Sequence, residues 1–230
     1  ASTASVQQAR VSAILSRNAE RLALVSSRTQ LRLSLARYLQ DGDAAAQERM
    51  NRILADAARS IAGIEAITVY DLEGRAVAST EPEAIGSGHP EPALLARARS
   101  EPVVDHVYLD PAGRPRALLT GPMVLDGQRL GVASLRSRVR TLHAAVADTS
   151  GLGRTGEAIL VRPAGDGGMV LLAPTRFRPH ATMRAVAREC CVEPGGSADG
   201  VACECRDYRG RKVLAVARAI PDTDWRVVVK

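Results

Sequence analysis

Three glycines in the segment GLGRTGEAILV have a spacing that serves phosphate binding in other proteins. Gly151, Gly153 and Gly156 match G-x-G-x-x-G, in which backbone amides at the start of a helix approach a pyrophosphate. That chemistry requires a strand before the loop and a helix after it. Here we predict the reverse order, with a helix over residues 138–148 and a strand over 157–162. We therefore interpret the glycines as a helix cap and a turn, and predict no nucleotide binding.

The four cysteines are the second group of residues whose spacing could serve chemistry. Cys190 and Cys191 are adjacent, and Cys203 and Cys205 follow in a C-x-C arrangement. Four cysteines in so short a segment can hold zinc, although zinc ligands usually pair as C-x₂₋₄-C and adjacent cysteines chelate poorly. Two disulfides, or free and redox-active thiols, are the other interpretations that the spacing leaves open.

No set of catalytic residues stands out in the rest of the sequence. Neither a G-x-S-x-G nucleophile motif nor an H-E-x-x-H metal motif occurs. The histidines are far apart in sequence and no two of them have metal-ligand spacing; they are His89, His106, His143 and His180. We therefore predict that this chain is not itself an enzyme and that it holds no cofactor and no metal.

Composition narrows the class of protein further. The chain has 230 residues, with 31 basic and 25 acidic side chains and a formal charge of +6. The positive charge is almost all arginine, is mixed with acids, and has few aromatic residues near it. Nucleic-acid binding would need a basic patch with stacking aromatics, so no nucleic acid is expected as a partner.

The chain itself is not expected to cross a membrane. No stretch approaches the roughly 20 apolar residues of a membrane-spanning helix. Residue 1 already lies in a helical pattern, which favours a piece of a longer protein.

The first third of the chain is predicted to be helical. Residues 1–81 contain no proline, and apolar residues recur at helical spacing over residues 3–40. Such a helix would be about 57 Å long, which suggests a spine that passes two domains, a dimer contact, or both. A DGD turn at 41–43 precedes a second helix at about 44–60, so we assign residues 1–60 to a helical region.

The remaining two thirds repeat one order of elements. After Gly63, short β-rich runs separated by turn residues are interrupted by a helix at about 91–99, and the same order returns with a helix at about 180–190. Corresponding elements lie roughly 95 residues apart. We predict an α+β fold in which a long N-terminal helix precedes two PAS-like modules, at 61–148 and 149–230. Each module would be a five-stranded antiparallel sheet with flanking helices.

Three segments resemble a known family. GLGRTGEAILV is similar to the opening of the membrane-proximal module in double-Cache sensor domains, and DYRGRKVLAVARAIPDTDWRVVVK is similar to their closing hairpin. LALVSSRTQLRLSLARYL resembles their long first helix. Double-Cache domains are tandem PAS-like extracytoplasmic sensors of bacterial membrane receptors, here most similar to those of sensor histidine kinases.

The resemblance implies an architecture and a location. This chain would be the periplasmic or extracellular part of an inner-membrane protein, between two transmembrane helices that lie outside it. It would sense a small molecule in the membrane-distal module. From the length of the N-terminal helix we also predict a homodimer through that helix. A histidine kinase is the expected output, and a chemoreceptor or a diguanylate cyclase is the alternative. A structural or protein-interaction ectodomain that binds no ligand is the competing function.

Alignment with the amino-acid-binding branch of this family suggests the ligand class. That branch uses an acidic residue for the ligand amine, and Arg136 occupies the position here, which favours an anion such as a carboxylate. We predict a ligand site on the strands around Arg136, made with Ser134, Arg138, His106, Tyr108 and Thr120. The alternative is a solvated arginine cluster beside ordinary strand residues.

The resemblance also favours one interpretation of the cysteines. It places the second module outside the cytoplasm, where disulfides persist. We therefore expect two disulfides joining Cys190 and Cys191 to Cys203 and Cys205, with the connectivity left open.

Overall fold

The predicted layout of an N-terminal helix and two antiparallel sheets is confirmed. The computed structural model describes residues 2–99, 104–164, 167–186, 191–192 and 199–230, apart from the side chains of 104 and 105. The chain forms two compact units. The first-sheet unit comprises Ser16–Tyr108 and Arg116–Arg138; the second-sheet unit comprises Ala1–Leu15, Leu109–Pro115 and Val139–Lys230.

Three helices precede the first sheet: α1 (Thr3–Ser26), α2 (Thr29–Asp41) and α3 (Ala44–Ser60). The prediction of one continuous helix over residues 3–40 was wrong, because the chain leaves helical geometry after Ser26. Arg28 has the extended angles φ −61° and ψ 115°. Among helices in the described ranges, none is both long and apolar enough to cross a membrane.

The break after α1 lets apolar residues from two helices enter one core. In an uninterrupted helix, Val25 and Leu31 would point about 120° away from each other. With the break, Leu22, Val25, Leu31 and Leu35 are each at most 1% exposed and belong to one buried cluster. Full burial of each such side chain contributes about 1.5–3 kcal/mol, whereas a lost helical hydrogen bond costs about 0.5–1.5 kcal/mol. The packing therefore outweighs the interrupted helix.

The turn between α2 and α3 follows directly from its sequence, DGD. Gly42 adopts φ 66° and its N–H donates to the Tyr38 carbonyl at 2.9 Å, which ends α2. The Asp43 side chain accepts a hydrogen bond from the Ala45 N–H at 2.9 Å, which begins α3. The two helices consequently form an antiparallel hairpin over one face of the first sheet.

The first sheet has five strands in the order β2-β1-β5-β4-β3. They are β1 (Ile64–Tyr70), β2 (Ala76–Ser79), β3 (Val104–Leu109), β4 (Pro115–Leu125) and β5 (Gln128–Arg138). One face packs on the helices through a cluster that includes Met50, Leu54, Ile67, Leu119 and Leu135. The other face is covered by a short helix, α4 (Pro92–Ala98), which contributes Leu94 and Leu95. The sheet thus has an apolar helical side and a second side on which polar residues also occur.

The second sheet has six strands in the order β8-β7-β6-β11-β10-β9. They are β6 (Ala158–Pro163), β7 (Met169–Leu171), β8 (Ala185–Val186), β9 (Ala202–Arg206), β10 (Lys212–Ala219) and β11 (Arg226–Val229), with helix α5 (Arg140–Ala147) before them. Its core includes Ile159, Val161, Leu171, Ala215 and Val228. The two-residue β8 is the strand beyond the predicted five.

The helix predicted at about 180–190 was wrong over its described part. Met183 adopts φ 62°, which a helix cannot contain, and its N–H donates to the Leu171 carbonyl at 2.7 Å. The Leu171 N–H in turn donates to the Arg184 carbonyl at 3.0 Å. This segment therefore joins β7 as a sheet edge, and residues 187–190 lie outside the described part.

One turn sequence, D-x-x-G-R, occurs three times, at 71–75, 110–114 and 207–211. In each copy the aspartate N–H donates to the arginine carbonyl at 2.9–3.0 Å and the glycine N–H donates back to the aspartate carbonyl. The aspartate side chain also accepts the arginine N–H in each copy. Gly74, Gly113 and Gly210 all have positive φ. The same local chemistry therefore closes hairpins in both sheets.

The glycine loop connects α5 to β6, in the order that the sequence predicts. Gly151 and Gly153 have φ 80° and 65°. The Gly156 N–H donates to the Leu152 carbonyl at 3.1 Å, and a Cβ at position 156 would lie 2.2 Å from that oxygen. The glycines thus turn the chain from a helix into a strand, which is opposite to a nucleotide-binding loop.

Candidate functional site

A row of buried hydroxyl groups crosses the first sheet on the face away from the helices. Thr68 on β1 pairs with Ser79 on β2 and with Ser134 on β5, and Ser134 pairs with Thr120 on β4. All four are buried. The Thr68 and Ser79 hydroxyls are 2.9 Å apart, and those of Thr120 and Ser134 are 2.8 Å apart. Hydroxyl groups form directional hydrogen bonds, and small-molecule sites use a few such groups to fix the orientation of a ligand.

His89 closes over this row. Its Nε2 lies 3.2 Å from the Ser134 hydroxyl and its Nδ1 lies 2.9 Å from the Glu91 carbonyl oxygen. The ring meets Tyr70 edge to face at 4.7 Å between centroids. Burial lowers the pKa of His89, which favours the neutral ring.

Two tyrosines line the same face beside the hydroxyl row. Tyr70 and Tyr108 belong to one buried cluster with Leu94, Leu95 and Val132. Burial raises the pKa of Tyr70 to about 12. The Tyr70 hydroxyl therefore stays protonated and remains a hydrogen-bond donor near neutral pH.

Arg136 is a cation on this face, and it contacts two acids. Its guanidinium donates to the Glu81 carboxylate, and its Nε lies 3.8 Å from Glu65 Oε2. Burial alone would lower the pKa of Arg136, but the hydrogen bond and charge of Glu81 raise this pKa above its usual value. Arg136 consequently stays charged, and its guanidinium is held by the Glu81 carboxylate.

Glu65 gathers the other arginines at this end of the sheet. Arg116 Nη1 donates to both Glu65 carboxylate oxygens, at 2.7 and 2.6 Å. Arg138 Nε lies 3.4 Å from Glu65 Oε1, but the Arg138 side chain is 63% exposed. Arg138 therefore points mostly to solvent, whereas Arg136 lies at the edge of the buried face.

The two remaining predicted residues lie on β3. Tyr108 is buried, and the His106 Nε2 lies 3.5 Å from Glu91 Oε2. The Glu91 backbone contacts His89, and the Glu91 side chain contacts His106. The segment just before α4 therefore connects β3 to the hydroxyl row. The structure thus brings Thr120 and Ser134 into contact and places His106, Tyr108 and Arg136 on the elements around them.

Several polar residues of this face were missed in the sequence analysis, among them Thr68, Ser79, His89 and Glu81. Thr68 could have been found, because it is the polar residue of the apolar strand segment AITVY and shares a face with Ala66 and Tyr70. Ser79 carries the same signal at the end of β2. His89 and Glu81 carry no such signal, because a loop between elements brings them to the sheet.

The cysteine cluster forms disulfides, as expected. Cys191 and Cys203 are joined, with 5.9 Å between their Cα atoms. Cys205 is also disulfide-bonded. Cys190 lies outside the described residues. Among the described residues, no group of three or more potential ligands could hold a metal ion.

Comparison with known proteins identifies the fold but gives no close relative. No family model matches the sequence, and no curated protein matches it. Among solved structures, the sensor domain of the Vibrio cholerae histidine kinase DctB is similar at a TM-score of 0.69 and 14% identity, over 97% of this chain and 92% of that one.

Two chemoreceptor structures show the same similarity. The ligand-binding domain of the Pseudomonas fluorescens chemoreceptor CtaA in complex with L-serine has a TM-score of 0.64 and 17% identity, over 98% of this chain and 92% of that one. The ligand-binding domain of the Pseudomonas aeruginosa chemoreceptor PctC in complex with GABA has a TM-score of 0.58 and 19% identity, over 91% and 96%. At these identities the likeness establishes a shared fold along nearly the whole chain.

Proposed function

We propose that this chain is the extracytoplasmic ligand-sensing domain of a transmembrane signalling receptor, and that it binds a small molecule in the module at 61–148. The observation that carries the proposal is the buried row of hydroxyls on the sheet face away from the helical core. A purely structural sheet gains more from apolar residues at such positions, since buried polar groups must be satisfied one by one. The fold shared with sensor domains of kinases and chemoreceptors supports the same function.

The ligand class we favour is a small carboxylate. Arg136 supplies a planar guanidinium on the same strand face as Ser134, which pairs with Thr120, and Tyr108 and His106 lie on β3 on the other side of β4. A carboxylate can accept two hydrogen bonds from one guanidinium, and the hydroxyls can orient the rest of the molecule. Arg138 would take part only through long-range charge, because of its exposure.

A thermal-shift screen tests this proposal. Mono-, di- and tricarboxylates, amines and phosphates are added to the purified chain, and a bound carboxylate should raise the melting temperature by mass action. Arg136→Gln should abolish that shift. Arg129→Gln, an exposed arginine at the far end of the same strand, should leave it unchanged. If no compound in the screen shifts melting, the competing function, a structural or protein-interaction ectodomain, is favoured.

We further propose the setting of this domain. Transmembrane helices would flank it on both sides, the domain would lie in the periplasm, and the output would be a histidine kinase, with chemoreceptor or cyclase outputs as alternatives. A homodimer through α1 is supported by the exposed apolar side chains of Val6 and Leu24. The sequence of the full-length protein beyond residue 230 tests the output, and sedimentation of the purified chain, compared with Leu24→Glu, tests the dimer.

A further inference from the structure

A basic cavity in the second-sheet unit is not explained by the proposed sensor site. Its volume is about 600 Å³. Four cationic side chains line it, together with apolar walls from Phe177 and Leu214; the cations are Arg209, Arg211, Lys212 and Lys230. No acidic side chain occurs among its described lining residues.

Two of the four cations are held by buried carboxylates behind the cavity. The Lys230 side chain is fully buried, with its Nζ 3.8 Å from Glu157 Oε1 and 3.9 Å from Asp207 Oδ2. Arg209 donates to Asp207 Oδ2 at 2.6 Å. Glu157 and Lys230 also exchange both backbone hydrogen bonds, at 2.8 and 3.0 Å. The two acids therefore offset two cations and fix the Arg209 guanidinium in place.

The other two cations have no such compensation. Arg211 and Lys212 are exposed and form no ion pair with any described residue. The backbone that carries them is rigid, because the Arg211 N–H donates to Asp207 Oδ1 at 3.1 Å within the D-x-x-G-R turn. The cavity thus has uncompensated positive charge on a well-fixed hairpin end.

Apolar surface lies next to this charge. Phe177 is 42% exposed, and the Arg209 guanidinium carbon lies 3.9 Å from the Phe177 ring centroid. Leu214 is 64% exposed. Exposed apolar side chains beside solvated arginines are not needed for the solubility of the arginines. An anion with an apolar portion would bury the cations and the apolar side chains together.

We propose that this cavity binds a phosphate-bearing anion. Arg211 and Lys212 contact the phosphate, and Arg209 presents a guanidinium whose orientation is already fixed by Asp207 and Phe177. Phe177 and Leu214 contact the apolar part of the ligand. The phosphate can come from a lipid headgroup or from a soluble phosphate compound, and both sources offer the same chemistry to these residues.

The test uses the purified chain with two probes. Inorganic pyrophosphate binding is measured by calorimetry, and binding to vesicles of phosphatidylglycerol and phosphatidylcholine is measured by sedimentation, with pure phosphatidylcholine vesicles, which are zwitterionic and carry no net charge, as the comparison. The variant Arg211→Gln/Lys212→Gln is compared with Arg49→Gln/Arg52→Gln, which removes the same charge from exposed positions on α3. Far-ultraviolet circular dichroism of both variants, together with Trp225 fluorescence for the second-sheet unit, checks that they fold.

The proposal expects the unaltered chain to bind at least one phosphate probe. It also expects the Arg211/Lys212 variant to bind about thirtyfold more weakly, and the α3 variant to bind nearly as well as the unaltered chain. Binding of pyrophosphate alone assigns a soluble ligand, and binding of anionic vesicles alone assigns a lipid headgroup. Absence of binding to both probes, equal losses in the two variants, or equal binding to pure phosphatidylcholine vesicles would overturn the proposal. None of these outcomes depends on Arg136.

Discussion

At the scale of single residues, the pairing of Arg136 with Glu81 is the contact that a ligand anion would have to replace. Both side chains are about one third exposed, at 28% and 32%. Ion pairs with this much solvent access contribute roughly 0.2–1 kcal/mol. The pair is therefore weak enough for a carboxylate to displace, while it keeps the guanidinium oriented towards the site.

Glu81→Gln is expected to strengthen carboxylate binding about two- to fivefold, because it removes the internal competitor for Arg136. The dissociation constant of a carboxylate found in the thermal-shift screen, measured by calorimetry, checks this. Glu83→Gln is the matched control, since it removes the same charge from an exposed position two residues along the same loop. Weaker binding by Glu81→Gln would instead mean that Glu81 contacts the ligand itself.

His89 predicts a pH dependence of stability. Burial lowers its pKa below the ordinary value of 6.5, and burial lowers the pKa of His143 in the same direction. Below about pH 6.5 the unfolded chain therefore binds more protons than the folded chain, so the free energy of unfolding falls as the pH falls. His89 faces Ser134, Tyr70 and the Glu91 backbone, none of which titrates in this range.

His89→Gln should make that pH dependence shallower between about pH 6.5 and 5.5, because one of the two histidines with a lowered pKa is removed. Urea unfolding at a series of pH values measures the slope. His180→Gln, which replaces an exposed histidine, is the control. An unchanged slope in His89→Gln would show that His89 protonates equally well in the folded and unfolded chain.

At the scale of elements, the first sheet contains a close approach between the backbones of β5 and β1. A Cβ at Gly131 of β5 would lie 2.1 Å from the Tyr70 carbonyl oxygen, whereas a Cβ at Gly88 would meet nothing within 4 Å. Gly131→Ala should therefore destabilise the chain by about 3 kcal/mol or more, and Gly88→Ala should change stability by less than about 1 kcal/mol. Equal unfolding midpoints in urea would show that β1 can move away from β5 at little cost.

Elements closed by local chemistry could be predicted from sequence, and elements decided by distant contacts could not. The DGD turn and the D-x-x-G-R hairpins place their own hydrogen-bond partners within five residues, so their positions follow from the residue types. The break after Ser26 depends on where Leu31 reaches the core. The strand at Ala185–Val186 depends on β7, which no helical pattern at 180–190 reveals.

The candidate site divides in the same way. Ser134 and Arg136 share a strand face by alternation alone, which the sequence shows. The side chains that contact Arg136 and Ser134, namely Glu81 and His89, come from the segment between β2 and α4. The charge state of the predicted anion site therefore required the tertiary structure.

At the scale of the whole molecule, the cysteines and the tryptophan lie in one unit only. All four cysteines and Trp225 fall within the second-sheet unit, and the first-sheet unit contains neither residue type. Trp225 is 2% exposed, so its fluorescence reports unfolding of the second-sheet unit. Reduction and fluorescence can therefore separate the stabilities of the two units.

Reduction with dithiothreitol should lower the stability of the second-sheet unit by at least about 2–3 kcal/mol, because it breaks the Cys191–Cys203 bond, which closes a short loop and restricts the unfolded chain, and also the bond of Cys205. Urea unfolding followed by Trp225 fluorescence should shift to a lower midpoint. A carboxylate bound at the first-sheet unit should leave that fluorescence transition in place and shift only the part of the far-ultraviolet circular dichroism transition that comes from the first-sheet unit. If both probes shift together, both under reduction and with the ligand, the two units unfold as one cooperative body. Ligand binding to the first-sheet unit would then also stabilise the second sheet.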